Sequence, residues 1–374
     1  MWLAGLLGVI GVGFGCYLYQ LTNGLGVTGL SRDVSWGFYI AQLTYLVGVA
    51  ASGVMLVLPY YLHNHKVFGK ITILGEFMAV AAIMMCGLFV LVDLGQPMRA
   101  LNIILYPTPN SILFWDMLVL NGYLLLNLVI GWSVLQAETK GDTVEKWVKV
   151  LIYISIPFAI SIHTVTAFLY AGLPGRHFWL TAIMAARFLS SAFCAGPAIL
   201  LLIILFLRKA VKFEVKDEAV RSLAVIITYA MIINIFFLGL EFFTAFYSQI
   251  PGHMHSFIYL YKGLDGHGKL VPWMWASSIL AVFCLALLIP PRFRRNEKLL
   301  PVALVSLVAA TWIDKGLGLV VAGFIPNPLD HVTEYAPTLP ELAISLGIYA
   351  IGALVVTVLY KIAVEVKKDA LDHH

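Results

Sequence analysis

Eight ionisable side chains stand inside stretches that are otherwise apolar: Glu76, Asp93, Asp116, His163, Arg187, Glu241, Asp314 and Lys315. Ionisable groups in hydrocarbon are costly and usually face a bundle interior or a water-filled cavity, so each is a functional candidate by default. Asp93, Asp116 and His163, with Trp36, Tyr39 and the loop residue His177 nearby in the pattern, make a set suited to a quinol headgroup. Oxidising a quinol releases two protons and two electrons. Such a site needs carboxylates or imidazole within hydrogen-bond reach of the hydroxyls, aromatic and aliphatic walls for the ring, and an opening towards lipid.

The elements that must position these groups are membrane spans. Of the 374 residues 61% are hydrophobic and 12% charged, and the mean hydropathy is +0.91, which excludes a soluble globular chain. Ten apolar runs are each long enough to cross a bilayer as a helix: 2–21, 36–62, 71–94, 112–136, 147–171, 186–207, 221–247, 272–290, 299–320 and 340–362. Continuous apolar runs, rather than alternation, exclude a β-barrel. The expected fold is all-α, a single polytopic membrane domain over 1–374.

Seventeen of the 24 Lys and Arg residues fall in the even-numbered loops and the C-terminal tail, Lys66 and Lys70 among them; six fall in or beside the odd loops, and Lys315 lies within a run. By the positive-inside rule both termini are cytoplasmic and the odd loops face outward across the cytoplasmic (inner) membrane. The net charge of +4 therefore carries no implication of nucleic acid. The first run lacks a preceding basic residue and a convincing small-residue cleavage site, so it reads as a retained helix. Trp36, Tyr45, Leu46 and Gly53 match Trp179, Phe188, Leu189 and Gly196 at a constant offset of 143. A duplicated four-helix unit, 36–172 and 178–320, flanked by 1–23 and 340–362, explains the match.

In this topology Asp93 closes the third run, Asp116 opens the fourth, His163 lies in the outer half of the fifth, and Trp36 and Tyr39 open the second. Four helices bring acids, imidazole and aromatic rings to one depth near the outer face. Plainer readings stand beside this one. Asp93 can pair with Arg99, Asp116 can serve the positive end of its helix from the first turn, His163 can bond the Thr166 hydroxyl, and His177 can be an interfacial loop residue. Glu76, about 25 Å from Asp93 along its helix, is either the inner end of a proton path or a snorkelling carboxylate. Glu241 has Lys315 and Arg187 as possible partners. Asp314 and Lys315, about 100° apart on their helix, do not simply neutralise each other.

Absences discriminate as well. A transmembrane haem b takes an axial His from each of two helices, and only His163 sits well inside a run. Cys16, Cys86, Cys194 and Cys284 lie within runs without CxxC spacing, so neither an iron–sulfur cluster nor structural zinc is expected. His253, His255 and His267 are too loosely spaced for a metal site.

WGFYIAQLTYLVGVAASG, DLGQPMR, SILFWDMLVLNGYLL, HTVTAF and LEFFTAFYS resemble the NrfD or polysulfide-reductase (PsrC) membrane-subunit family. The ten-helix count is similar to its longer branch, and LPYYLHNHKVFGKITILGEF, PTPNSILFWDM and AGLPGRHFWLTAIMAARFLSSAFCAGPA look like the DsrP branch, whose members belong to DsrMKJOP complexes. The resemblance covers nearly the whole chain. It implies an outer-face menaquinone or menaquinol site on Asp93, Trp115, Asp116, His163 and His177, with Glu241 and the WIDK string of 312–315 in the second unit. Relatives of the longer branch carry Trp-x-Glu-Arg where WIDK stands, and the alternative-complex relatives carry an acid where Leu169 stands, which puts their full proton route in doubt here.

The resemblance also implies a chain without haem or cluster that passes electrons to an extracytoplasmic, ferredoxin-like iron–sulfur subunit. The implied further partners are a multihaem cytochrome c, a haem b membrane subunit and a cytoplasmic iron–sulfur catalytic subunit serving dissimilatory sulfite or sulfate metabolism. In the expected roles Asp93 and His163 exchange the quinol protons, Asp116 orients or relays, and Trp36, Tyr39 and His177 line the ring. Glu76, Arg187, Glu241, Asp314 and Lys315 are the expected proton path. The rival readings are a secondary transporter and a structural membrane anchor.

Overall fold

The computed structural model describes residues 1–50, 52–62, 66–69, 71–140 and 144–372; Lys70, one of the loop lysines counted above, lies outside them. Ten helices are long and apolar enough to span a membrane: α1 Trp2–Asn23, α2 Phe38–Tyr60, α3 Thr72–Asp93, α4 Ile112–Lys140, α5 Lys146–Ala171, α6 Met184–Ala210, α7 Asp217–Tyr247, α8 Val271–Leu288, α9 Leu299–Ala322 and α10 Leu339–Val366. The expected ten-helix, all-α membrane fold is what the chain adopts, and among the described residues the only β pairing is an isolated bridge between Leu264 and His267. Asp217 and Glu218 occupy the first turn of α7, and Arg208 and Lys209 the last turn of α6, each complementing its helix dipole. An even number of spans leaves both chain ends on one face, the terminal face. The loops after α1, α3, α5, α7 and α9 form the opposite, loop face, where a non-spanning helix, Pro251–Tyr261, follows α7.

Helix α2 is central. Nearly all of its described side chains from Tyr39 to Val57 are buried, and it packs on α3, α5, α6 and α9. Small residues set its contact with α6: a Cβ at Gly196 would lie 3.0 Å from the Val49 carbonyl oxygen and 3.1 Å from that of Gly48, so the two backbones nearly touch, as small-residue interfaces between membrane helices allow. Trp36 and Trp179, aligned by the 143-residue offset, stack with ring centroids 5.6 Å apart.

Helix α1 lies outside this core and presents most of its surface outward. It runs against α10, where a Cβ on Gly13 would meet Gly347 Cα at 2.7 Å and the Ala343 carbonyl oxygen at 3.0 Å. Trp2 Nε1 donates to Thr357 Oγ1 at 3.2 Å. Helix α9 departs from regular geometry. Its segment Trp312–Gly318 is a π-helical turn, a feature that is frequent at functional sites, and it carries Asp314 and Lys315.

Gly13→Leu is expected to cost about 1–3 kcal/mol by overpacking the α1–α10 contact, read as a lower unfolding midpoint in detergent. Gly15→Leu, on a face with open space around the would-be Cβ, is expected to leave that midpoint unchanged.

Candidate functional site

Asp93 is the last residue of α3, at the loop face, because Gly95 and Pro97 follow and end the helix. Leu94, Gly95 and Gln96 beyond it are exposed. The Arg99 ion pair considered above is not among those the described residues form. Gln20 of α1 instead reaches the same place: its Nε2 donates to the Val92 carbonyl at 2.6 Å, and its Oε1 accepts the Tyr39 hydroxyl at 2.7 Å. Asp93 Oδ1 is buried with no hydrogen-bond partner among the described residues.

Behind Tyr39 stands Glu341 in the first turn of α10, fully buried. It accepts the amides of Gly29 at 2.7 Å and Thr338 at 2.8 Å, and the Tyr335 hydroxyl at 2.7 Å; Tyr335 in turn accepts the Phe38 amide at 2.8 Å. Glu341 thus ties the segment after α1 and, through Tyr335, the start of α2 to α10 at the loop face. Sequence reasoning passed over it, although Thr338-Leu-Pro-Glu341 has the spacing of a capping box, and the Thr338 amide bond is that motif's backward contact.

Asp116 is the fifth residue of α4, past the first turn, so it does not serve the helix end. It accepts the Thr166 hydroxyl of α5 on Oδ1 at 2.6 Å, and Thr166 also lies 2.7 Å from the Ile162 carbonyl. Thr166 is therefore no partner for His163, whose two ring nitrogens are buried without a hydrogen bond among the described residues. One turn further out, the Tyr170 hydroxyl forms a short hydrogen bond with Thr44 of α2. Its ring meets Trp36 edge-on at 5.4 Å and Trp179 at 5.0 Å, and Trp179 Nε1 donates to the Leu319 carbonyl at 2.8 Å. By helical rise, Asp116 lies about 6 Å and His163 about 12 Å below the loop face. The groups are stepped inward from Asp93, with the aromatic rings as a wall beside them, rather than set at one depth.

Charges of α6, α7 and α9 gather on Arg187 of α6. Its Nη1 makes a short ion pair with Glu241 Oε2 of α7, and its Nη2 lies 3.1 Å from Asp314 Oδ2 of α9. Of the two partners open to Glu241, the structure selects Arg187. Lys315 points elsewhere, as its angular offset from Asp314 requires: Nζ is 3.3 Å from the Phe188 carbonyl and 4.3 Å from that ring's centroid. Glu76 is buried in α3. Gln42 of α2, also unremarked in the sequence, accepts Trp312 Nε1 at 2.8 Å and the Tyr349 hydroxyl at 2.7 Å, joining α2, α9 and α10.

His177 has different neighbours. A Cβ on Gly252 would lie 2.7 Å from its own Cβ, and it lines a loop-face cavity of about 290 Å³ with Arg176, His255 and Asp330. His253 beside it is pushed below the usual imidazole range by burial and by His177. The structure brings Trp36, Asp116 and His163 to the α2–α4–α5 side and Tyr39 and Asp93 to α1; it does not join His177 to them. No cluster of three metal-ligating side chains occurs among the described residues.

Arg187→Met is expected to cost about 3–5 kcal/mol, because two buried carboxylates lose their cation. Adding Glu241→Gln and Asp314→Asn should recover most of that loss, read as unfolding midpoint and yield in detergent.

The family described as polysulphide reductase, NrfD, matches residues 26–326. The chain is 26% identical to a selenate reductase subunit of Mesobacillus selenatarsenatis over 91% of its own length and 88% of that protein. It is 26% identical to the Hdr-like menaquinol oxidoreductase integral membrane subunit of Archaeoglobus fulgidus over 63% and 58%. Against the menaquinone reductase integral membrane subunit of Nitratidesulfovibrio vulgaris the figures are 23% identity over 96% and 90%. With the family covering most of the spans and the residues from Trp36 to Lys315, this chain belongs to the NrfD family of membrane subunits.

Proposed function

We propose that this chain is the quinone-interacting subunit of a respiratory oxidoreductase complex, exchanging electrons between menaquinol and an iron–sulfur partner docked on the loop face. The observation that carries the reading is that Asp93 Oδ1 and both ring nitrogens of His163 are buried without a partner among the described residues, with Asp93 next to exposed residues at the end of α3. Two of the relatives are named for menaquinol oxidation or menaquinone reduction, which supports the same quinone class. Menaquinol, when bound, supplies two electrons and two protons.

In this reading Asp93 accepts a proton at the mouth of the site, and His163 accepts or donates one deeper in. Asp116 is oriented by the Thr166 hydroxyl and relays. Tyr39, fixed by Gln20, and Trp36 bound the ring, while His177 serves the rim of the loop face. The same reading places both termini in the cytoplasm, on the strength of the Lys and Arg distribution, and keeps two four-helix units, 36–172 and 178–320, with α1 and α10 flanking. The Trp36–Trp179 stack and the α1–α10 contact support that division. Glu76, Arg187, Glu241, Asp314 and Lys315 are assigned to a proton route. The link to sulfite metabolism, with a multihaem cytochrome c, a haem b subunit and a cytoplasmic catalytic subunit as partners, rests on the DsrP-like strings.

Titration of a fluorescent quinol analogue into the purified complex should saturate, and Asp93→Asn and His163→Ala should each weaken it by about tenfold, or roughly 1.4 kcal/mol. Asp93→Asn should also abolish quinol-linked turnover with assembly intact. Binding and turnover indifferent to both substitutions would return the chain to an anchor or transporter role. For the proton route, Glu76→Gln and Glu241→Gln should diminish the membrane potential formed in proteoliposomes while electron transfer continues; a potential unchanged in both would remove these residues from it.

A further inference from the structure

On the outward side of the second unit, α7, α8 and the helix Pro251–Tyr261 enclose a groove of about 460 Å³, walled by Ile235, Leu238, Gly239, Phe242, Tyr261 and Trp275. Its aromatic side is fixed. Trp275 Nε1 donates to the Tyr261 carbonyl at 3.0 Å, and the Tyr261 ring meets Trp275 at 5.7 Å and Phe242 at 5.3 Å. The groove shares Ile235, Leu238, Tyr261 and Ser278 with a small inner recess of about 30 Å³. That recess is polar at its far end, where it is lined by Asn234, Ser277, Thr311 and Asp314. Its mouth carries a hydroxyl pair, Tyr261 and Ser278, 3.2 Å apart, in which Ser278 donates to the Met274 carbonyl at 3.0 Å and so accepts from Tyr261.

We propose that this groove is a second quinone-binding site, independent of the one at Asp93. Depth selects the occupant. Along their helices Ser278, Asp314 and Asn234 lie about 10, 12 and 20 Å below the loop face, in hydrocarbon, where a phospholipid phosphate does not reach and a quinone ring does. The recess admits about one oxygen atom or one water, which fits a ring carbonyl that takes over the Tyr261 hydrogen bond from Ser278, with the ring against Phe242 and Trp275 and the isoprenoid tail leaving through the open side. An apolar cleft with a few convergent polar groups at its end is the general form of such sites. Asp314 at the recess is the carboxylate held by Arg187, so an occupant here touches the buried ion-pair cluster directly.

The test is photolabelling of the intact purified complex with an azido-naphthoquinone bearing an alkyl tail, mapped by peptide mass spectrometry on this chain. Label is expected within 235–242 or 261–278, displaced by menaquinone and not by phosphatidylglycerol. A Cβ on Gly239 meets nothing within 4 Å, so Gly239→Phe starts its side chain into open space and, by filling the groove, should lower that label about tenfold or more. Label on the peptide containing Asp93 should persist in Gly239→Phe. Tyr261→Phe should weaken groove labelling with the folded chain intact. Absence of label from these segments, displacement by phospholipid alone, or indifference to Gly239→Phe would overturn the second site. Loss confined to the Asp93 peptide would count against the first site and leave the second standing.

Discussion

A guanidinium in hydrocarbon has to find its counter-ions within the protein, and the second half of this chain is arranged around that requirement. Arg187 belongs to α6, Glu241 to α7 and Asp314 to α9, so one side chain fixes the rotation of three helices about their axes. At that depth each group left unpaired would carry a desolvation cost of several kcal/mol. The π-helical turn of α9 lies where the fit is made. It carries Asp314, which meets Arg187, and Lys315, which faces the Phe188 carbonyl and ring. The four charged groups balance, yet they are spread over two distinct contacts rather than one cluster.

The first half uses a different device at the same kind of depth. Its polar groups are held by neutral partners: Thr166 donates to Asp116, Gln20 accepts the Tyr39 hydroxyl, and Thr44 bonds the Tyr170 hydroxyl. Such contacts hold a carboxylate in place without neutralising it. Between the halves, contact is continuous. Lys315 lies over Phe188, Phe188 is 5.7 Å from Tyr170, and Tyr170 meets the Trp36–Trp179 stack. A change at Lys315 therefore has a packed route to the Trp36–Trp179 stack.

Much of this was legible in the sequence because hydrocarbon leaves few choices: an apolar run of the right length becomes a span, and Phe38–Tyr60 or Leu299–Ala322 differ from the expected limits by a residue or two. Which ionisable residues stand inside the membrane was legible for the same reason. Their partners were not, since choosing Arg187 over Lys315 for Glu241 depends on how each helix is rotated, which hydropathy does not encode. Gln20 and Gln42 escaped notice because a neutral amide in an apolar run costs little on any charge count, although each bridges two or more helices. Glu341 sat at the edge of the tenth run, where an acid reads as an ordinary helix start, and only its spacing from Thr338 hinted at its contacts.

The packing of α1 against α10 has a consequence for how the chain is made. Helix α1 is synthesised before α2 to α9, yet its main neighbour, with Gly347 and Thr357, is synthesised after them. The Glu341 bonds to Gly29 and to the Phe38-bound Tyr335 therefore cannot close until α10 has been made. Contacts so far apart in sequence carry a loop-closure cost that local pairings do not. A stop before α10 would leave the α1 flank and the Gly29 amide without these partners.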